Sequence, residues 1–376
     1  AIDAGYQVAV LVPTTILAEQ HFRTFGERMV EYPLRIGKLS RFCSPQEERQ
    51  VLAGLATGSV DIVIGTHRLL QGDMRFRNLG LIIVDEEHRF GVRDKERLKA
   101  LRIEADVLTL TATPIPRTLA LTECGDMEVS VIRGLPPGRQ PIKTIVRADS
   151  RRDEAYALMR EEIRRGRQVY VIYPLVEESE KIDLKAATEM AGEIARIFPE
   201  FGVALLHGRM KGDEKEAVMR RFLAGQLQIL VSTTVVEVGV DVANATLMVV
   251  FQAERFGLSQ LHQLRGRIGR GRFQGYCFLF SEADTPEATK RLAAMESTSD
   301  GFQIAEVDFE LRGPGDVLGT RQSGAMPLRV ADLVRDKAVL EEARIAAFNL
   351  VESGEFDDTE FAPLKLRVLD RFAKLM

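Results

Sequence analysis

With 376 residues the chain has room for two or three domains, and 45% apolar against 28% charged residues is the composition of a folded globular protein. Its 51 basic and 55 acidic side chains leave a net charge of −4, so any surface for a polyanion has to be local. The apolar runs are strand-sized, far below the roughly 20 residues that span a bilayer, no signal peptide is visible, and the spacing of Cys43, Cys124 and Cys277 predicts a reducing compartment, not a disulfide framework or a zinc site.

Ala1–Ala4 reads as the end of a helix capped by Gly5, which places the start of the fold upstream of Ala1. Gln7–Val12 is an apolar strand and Ile16–Met29 has helical spacing; Asp61–Gly65, Leu81–Val84 and Asp106–Leu110 are further buried strands. Each strand runs into a loop carrying Thr, Asp or His. This is the grammar of an α/β fold with a parallel sheet, in which ligands bind at the carboxyl ends of the strands. The Pro/Gly cluster Leu135–Pro141 reads as a linker. The same grammar then restarts: helix Arg152–Arg165, strand Gln168–Tyr173, helix Ala186–Ile197, strand Val203–Leu206, helix Glu214–Leu223, and strands Ile229–Ser232, Leu247–Phe251 and Tyr276–Phe280. Beyond residue 285 the strands stop; Glu287–Ser297 and Ala338–Val351 look helical, with a Gly-rich stretch between them. The expected domains are 1–145, 146–285 and 286–376. No repeat with a period of 20–50 residues is visible.

Three clusters carry chemistry. Leu81–Val84 delivers Asp85-Glu86-Glu87-His88 to a strand end, where one carboxylate can hold Mg²⁺ and the next can orient or deprotonate water. The bland reading is a solvated acidic turn. Gln260–Gly271 packs Arg265, Arg267 and Arg270 among Gly266, Gly269 and Gly271; Arg267 and Arg270, three apart, would share a face at a helix start and are arginine-finger candidates for phosphoryl oxygens. The bland reading is a basic solvated helix. Ser232–Asp241 runs from a strand into a Thr-rich turn whose hydroxyls can hold a phosphate and whose Asp241 can take a ribose hydroxyl; the bland reading is an ordinary helix N-cap. His21, on an amphipathic helix, reads as structural. His67, His88, His207 and His262 read as interdomain hydrogen-bonding groups, since no spacing suggests zinc.

Taken together these segments resemble the superfamily 2 helicases, whose motor consists of two RecA-like domains with ATP in the cleft between them. Pro13–Ala18 resembles motif Ia, Ile64–His67 the following strand-binding motif, Asp85–His88 the DExH-type box, Thr111-Ala112-Thr113 motif III, Ser232–Asp241 motif V and Gln260–Arg270 motif VI, in the family's order. Asp85–Val92, Thr111–Ala120 and Ala253–Arg267 are similar to stretches shared by the RecG and Mfd translocase families. Tyr173–Glu180, Leu206–Met210 and above all Asp308–Gly324, which resembles their translocation motif, are more similar to RecG. Two departures stand out. No Gly-x-x-x-x-Gly-Lys-Ser/Thr loop occurs in residues 1–376, and the family would place it, with its wedge domain, just before Ala1. Where RecG has Asp-Glu-Gln-His, this chain has Glu87 in place of the Gln.

The resemblance implies two RecA-like parallel-sheet domains, the first truncated at its N-terminus, followed by a helical hairpin and loop. It implies an ATP-dependent DNA helicase that remodels stalled forks and Holliday junctions, inactive as residues 1–376 alone. Asp85 would hold Mg²⁺ and Glu86 would activate water. Gly239, Asp241, Gln263, Arg267 and Arg270 would contact ATP. Thr14, Thr66, His67, Thr111, Thr113 and Thr233 would contact DNA, while Arg312, Arg321 and Gln322 in a loop over Leu311–Gly324 would couple closure to translocation. Branched duplex DNA and single-stranded DNA binding protein are the implied partners of a monomer in the bacterial cytoplasm, at the nucleoid, with no membrane partner. The alternatives are a fragment of an Mfd translocase or a non-catalytic DNA-binding module.

Overall fold

The computed structural model describes residues 1–101, 105–112, 129–132, 134, 138–174, 180–233, 242–283, 285–312 and 336–373. These form two compact units: one contains two parallel sheets, the other the helices from Pro286 onward.

The first sheet is built from β1 (Gln7–Leu11), β2 (Ile36–Leu39), β3 (Ile62–Gly65), β4 (Leu79–Asp85) and β5 (Asp106–Leu110), in the order β2-β3-β1-β4-β5, every pair parallel. Strand alternation divides the core between two faces. Ala9 and Leu11 of β1 pack with Leu39, Val63, Ile82 and Val84 on one side, and Val8 and Val10 with Ile62, Ile64, Leu17 and Ala18 on the other. Gln7, buried at the start of the central strand, is fully used. Its Nε2 donates to Leu55 O (3.1 Å) and Val60 O (2.8 Å), and its Oε1 accepts from the amides of Arg77 (2.9 Å) and Asn78 (3.1 Å). Helix α1 (Thr15–Arg28) starts on the Thr14 cap, and α2 (Pro45–Thr57) on a Ser44/Glu47 capping box with Pro45 in its first turn. Helix α3 (Val92–Leu101) precedes β5.

The second sheet holds β6 (Lys143–Arg147), β7 (Gln168–Ile172), β8 (Val203–Leu206), β9 (Ile229–Ser232), β10 (Ala245–Val250) and β11 (Tyr276–Phe280), in the order β6-β11-β10-β7-β9-β8, again all parallel. Because β6 pairs with β11 from Lys143 onward, this sheet begins before residue 146. Helices α4 (Arg152–Arg164), α5 (Glu180–Ile197) and α6 (Gly212–Leu223) connect its strands, and α7 (Leu258–Arg265) lies between β10 and β11. Its core includes Met159, Ile163, Phe198, Val231 and Val249, with Tyr173, Phe251 and Phe280 stacked at ring-centroid separations of 4.7 and 5.3 Å.

Apart from β6, the two sheets have the same order, with β7 in the place of β1 and β10 in that of β4. Gln168, like Gln7, is a buried glutamine opening the central strand, its Nε2 donating to Phe222 O and Leu227 O. The repeat is one whole domain long, so a search at 20–50 residues could not register it.

The second unit contains α8 (Pro286–Ser297), α9 (Gly301–Arg312), α10 (Lys337–Glu352) and α11 (Ala362–Ala373). Helix α9 trims the expected loop over Leu311–Gly324 by its first two residues, and residues 313–324 lie outside the described residues. Leu311 and Arg312 close a helix whose Ile304, Ala305 and Phe309 are buried. Arg321 and Gln322 lie outside the described residues. No helix among the described residues is long and apolar enough to cross a membrane.

Candidate nucleotide cleft and nucleic-acid groove

Asp85 is the last residue of β4, and the chain turns there through Glu86, whose φ of 54° is left-handed. The Glu86 amide donates to Leu110 O of neighbouring β5 (2.9 Å), and a single 3₁₀ turn, Glu87–Arg89, ends on buried Phe90. The turn is therefore fixed at both ends. It presents both leading acids to a cavity of about 390 Å³ whose walls come from both sheets: Gln20, His21 and Thr24 of α1, Asp85, Glu86 and Arg89, and then Ala112, His262, Gln263, Gly266, Arg267 and Arg270.

On the opposite wall the structure corrects one expectation. Helix α7 stops at Arg265, so Arg267 and Arg270 stand in the turn that follows it, not at a helix start. The glycines are the physical reason. The Gly266 amide makes the last helical bond, to His262 O (2.9 Å), and Gly269 takes φ 63° while its amide bonds Ala245 O of β10 (3.0 Å). Arg270 Nε donates to Gly266 O (3.1 Å). Arg267 is 8% exposed. Burial foremost, then the charges of Arg270 and Arg89, push its guanidinium down to about 10, with Glu86 acting in the other direction. Arg265 is instead a packing residue, buried and hydrogen-bonded to Thr144 Oγ1 (3.1 Å) and the His262 ring (3.2 Å).

Two guanidinium groups thus face two carboxylates across one cavity, with Arg89 on the acids' own side, a charge arrangement suited to a metal–polyphosphate. Among the described residues no cluster of three or more His, Cys, Asp or Glu side chains could ligate a metal alone. The donor set fits Mg²⁺, which is bound through one or two carboxylates and completed by water and substrate phosphates.

Among the residues of this cleft that were not singled out for it by sequence, two carry charge-bearing groups. His21 Nε2 lies 3.1 Å from Asp85 Oδ2, so the histidine read as structural touches the leading acid. Arg89 brings a cation from the same turn as the acids. His21 follows Leu17 by one helical turn, and Leu17 lines the same cavity, a spacing that could have suggested a shared face.

A second cavity, of about 310 Å³, gathers Thr14, Thr66 and His67 with Arg41 and Phe42, and faces Gly212, Lys215 and Met219 of α6. The bland reading of Thr14 holds as well, since its hydroxyl accepts from the Leu17 amide (3.3 Å) and caps α1. Thr66 is buried and His67 exposed. Thr233 is buried, its hydroxyl making no hydrogen bond among the described residues. Thr111 is exposed beyond β5. Thr113, Gly239 and Asp241 lie outside the described residues, as does the side chain of Arg312.

Comparison with known proteins agrees with this fold. Residues 1–122 match the DEAD/DEAH box helicase model, 153–272 the helicase conserved C-terminal domain, and 298–374 the model for ATP-dependent DNA helicase RecG, domain 3, C-terminal. The chain is 49% identical over its full length to the ATP-dependent DNA helicase RecG of Synechocystis, covering 45% of that protein, and 46% identical over 98% of its length to that of Bacillus subtilis, covering 54%. A solved RecG bound to a three-way DNA junction superposes with a TM-score of 0.72 at 43% identity, over 90% of this chain and 44% of that one. The yeast Dbp5 structure, 14% identical at a TM-score of 0.55, shares the fold. The chain spans about half the length of the curated relatives it matches. With two RecA-like sheets, a strand-end acid pair facing glycine-flanked arginines, and identities near one half along the whole chain, it belongs to the RecG family of superfamily 2 helicases.

Proposed function

We propose that these residues form the motor of an ATP-dependent DNA helicase that remodels branched DNA. The observation that carries the proposal is the meeting of Asp85 and Glu86 from one sheet with Arg267 and Arg270 from the other in a single cavity. Asp85 would hold Mg²⁺, whose charge neutralises phosphate oxygens. Glu86 orients the attacking water and accepts its proton. Arg267 and Arg270 stabilise the charge that develops on the transferred phosphoryl group, and Gln263 lines the nucleotide beside them. Gly239 and Asp241 are assigned to the nucleotide as well.

The second cavity supports a track for the DNA backbone along Thr14, Thr66 and His67, with Thr111, Thr113 and Thr233 as further phosphate contacts. Arg312, Arg321 and Gln322 are proposed to couple cleft closure to movement along DNA, so that Arg321→Ala hydrolyses ATP without branch migration. Forks and Holliday junctions as substrates, single-stranded DNA binding protein as partner, a monomeric state and a place at the bacterial nucleoid complete the reading. A transcription-coupling translocase is less favoured, because residues 298–374 match the RecG model.

The test uses the whole protein. Arg267→Ala or Arg270→Ala is expected to cut DNA-stimulated ATP turnover by roughly 10³ or more, with junction affinity changed far less. Loss of DNA affinity with full turnover would make these arginines backbone contacts instead. Residues 1–376 alone, which include no phosphate loop, are expected to hydrolyse ATP negligibly; turnover on the order of 1–100 s⁻¹ would contradict the mechanism.

A further inference from the structure

The linker between the sheets carries Arg139, half-buried, whose Nη2 donates to Gly266 O at 3.4 Å. This is the carbonyl that accepts from Arg270 Nε at 3.1 Å. One oxygen with two lone pairs can satisfy both donors. The linker therefore holds the backbone atom on which a candidate arginine finger rests.

The contact is part of a longer seam. Gln274 Nε2 donates to Pro141 O (2.7 Å) and the Lys143 amide to Gly275 O (2.9 Å). Ile142 lies so close to Gly269 and Gly275 that a Cβ on either would come within 3.2 Å of its side chain. On the other side the Gly269 amide is tied to Ala245 O. Residues 266–275 are thus held between their own sheet and the linker, and the linker is the segment through which the first sheet is joined to the second.

We infer that Arg139 is a positioning residue for ATP hydrolysis: through the Gly266 carbonyl it sets Arg270 and ties the arginine turn to the interdomain linker. This rests on the reading of Arg270 as a phosphate-facing arginine. A guanidinium is suited to the task because it bonds a carbonyl while staying charged at every physiological pH.

The experiment compares Arg139→Ala, Arg139→Lys, Arg270→Ala and the Arg139→Ala/Arg270→Ala pair in the whole protein. Displacing a catalytic group by about 1 Å costs on the order of 10²-fold, so Arg139→Ala is expected to lower kcat by about 10- to 100-fold. KM for ATP and the melting temperature should stay near the parent's. Arg139→Lys, which keeps one donor, should recover most of the loss. The double variant should be no slower than Arg270→Ala alone, because both act through one carbonyl. In the nucleotide-free protein, amide exchange at Gly266–Gly271 should accelerate in Arg139→Ala. Additive losses, an unchanged kcat, or a lower melting temperature with unaltered exchange in this turn would each overturn the inference. If Arg270→Ala itself kept full turnover, the underlying functional reading would fail; if only Arg270→Ala lost turnover, the linker inference alone would fail.

Discussion

Arg267, the proposed phosphate-facing arginine, carries a cost to the fold. Burial first, and then the charges of Arg270 and Arg89, push its guanidinium from the ordinary arginine range down to about 10. At roughly 1.36 kcal/mol per unit this corresponds to about 3 kcal/mol against the charged form. Screening by solvent in the cavity that the group lines reduces the net penalty to about 1–2 kcal/mol. The sign is fixed by the lowered value. At pH 7.5 the side chain is charged in folded and unfolded chain alike, so the penalty is fully present, and it is relieved only as pH rises through about 10. Arg267→Met keeps the volume and removes the charge. It should raise the melting temperature of the nucleotide-free protein by about 3–6 °C, at about 2–4 °C per kcal/mol for domains of this size, while abolishing turnover. Scanning calorimetry at pH 7.5 measures the first effect and phosphate release the second. A melting temperature lowered by 2 °C or more would refute the reasoning, because it would mean that Arg267 contributes more by its contacts than it loses by burial.

Two further outcomes test the frame around the site. Thr246 Oγ1 donates to the buried Glu162 carboxylate at 2.6 Å, so Thr246→Val should lower stability by about 1–3 kcal/mol in urea unfolding, the cost of depriving a buried charged acceptor. Thr66→Ala in the second cavity should weaken junction binding a few-fold, as for one lost hydrogen bond, with kcat at saturating DNA unchanged; equal loss of kcat would move Thr66 from the DNA track to the catalytic machinery.

The central strands were legible because both faces of a parallel sheet are buried, so β1, β3, β7 and β10 read as unbroken apolar runs. Strand β2, with Gly37-Lys38 at its centre, has no such run; it is held by pairing to β3 and by the burial of Leu39. Helix α2 carried a legible start in Ser44-Pro45-Gln46-Glu47, but its polar first turn hid the apolar stripe. The acids and arginines of the cleft were legible as motifs. The His21–Asp85 contact was not, since it joins residues 64 positions apart and follows only from β1 lying beside β4. The arginine turn was misread as helical because charge spacing was weighed above three glycines.

The duplicated sheets show why one site serves two domains. After β4 the chain passes through Glu86 at φ 54°, a 3₁₀ turn and buried Phe90; after β10 it passes through Gln252 at φ 49°, a 3₁₀ turn and buried Phe256. The backbone device is the same and the chemistry is not. Where the first turn has Asp85-Glu86, the second has Phe251, stacked in the core, and an exposed Gln252. The second sheet has no acid pair there, and what it brings to the cleft is the arginine turn that ends α7. This gives a paired prediction. A left-handed non-glycine residue costs roughly 1 kcal/mol, offset in part by the extra freedom that glycine gives the unfolded chain. Glu86→Gly and Gln252→Gly should therefore change stability alike, each by less than about 1 kcal/mol. Only Glu86→Gly should lose ATP turnover, because only the first turn carries the acid proposed to orient water. Comparable loss of turnover in both, at unchanged melting temperature, would show that the second turn acts in catalysis and that the division of labour drawn from the two sheets is wrong.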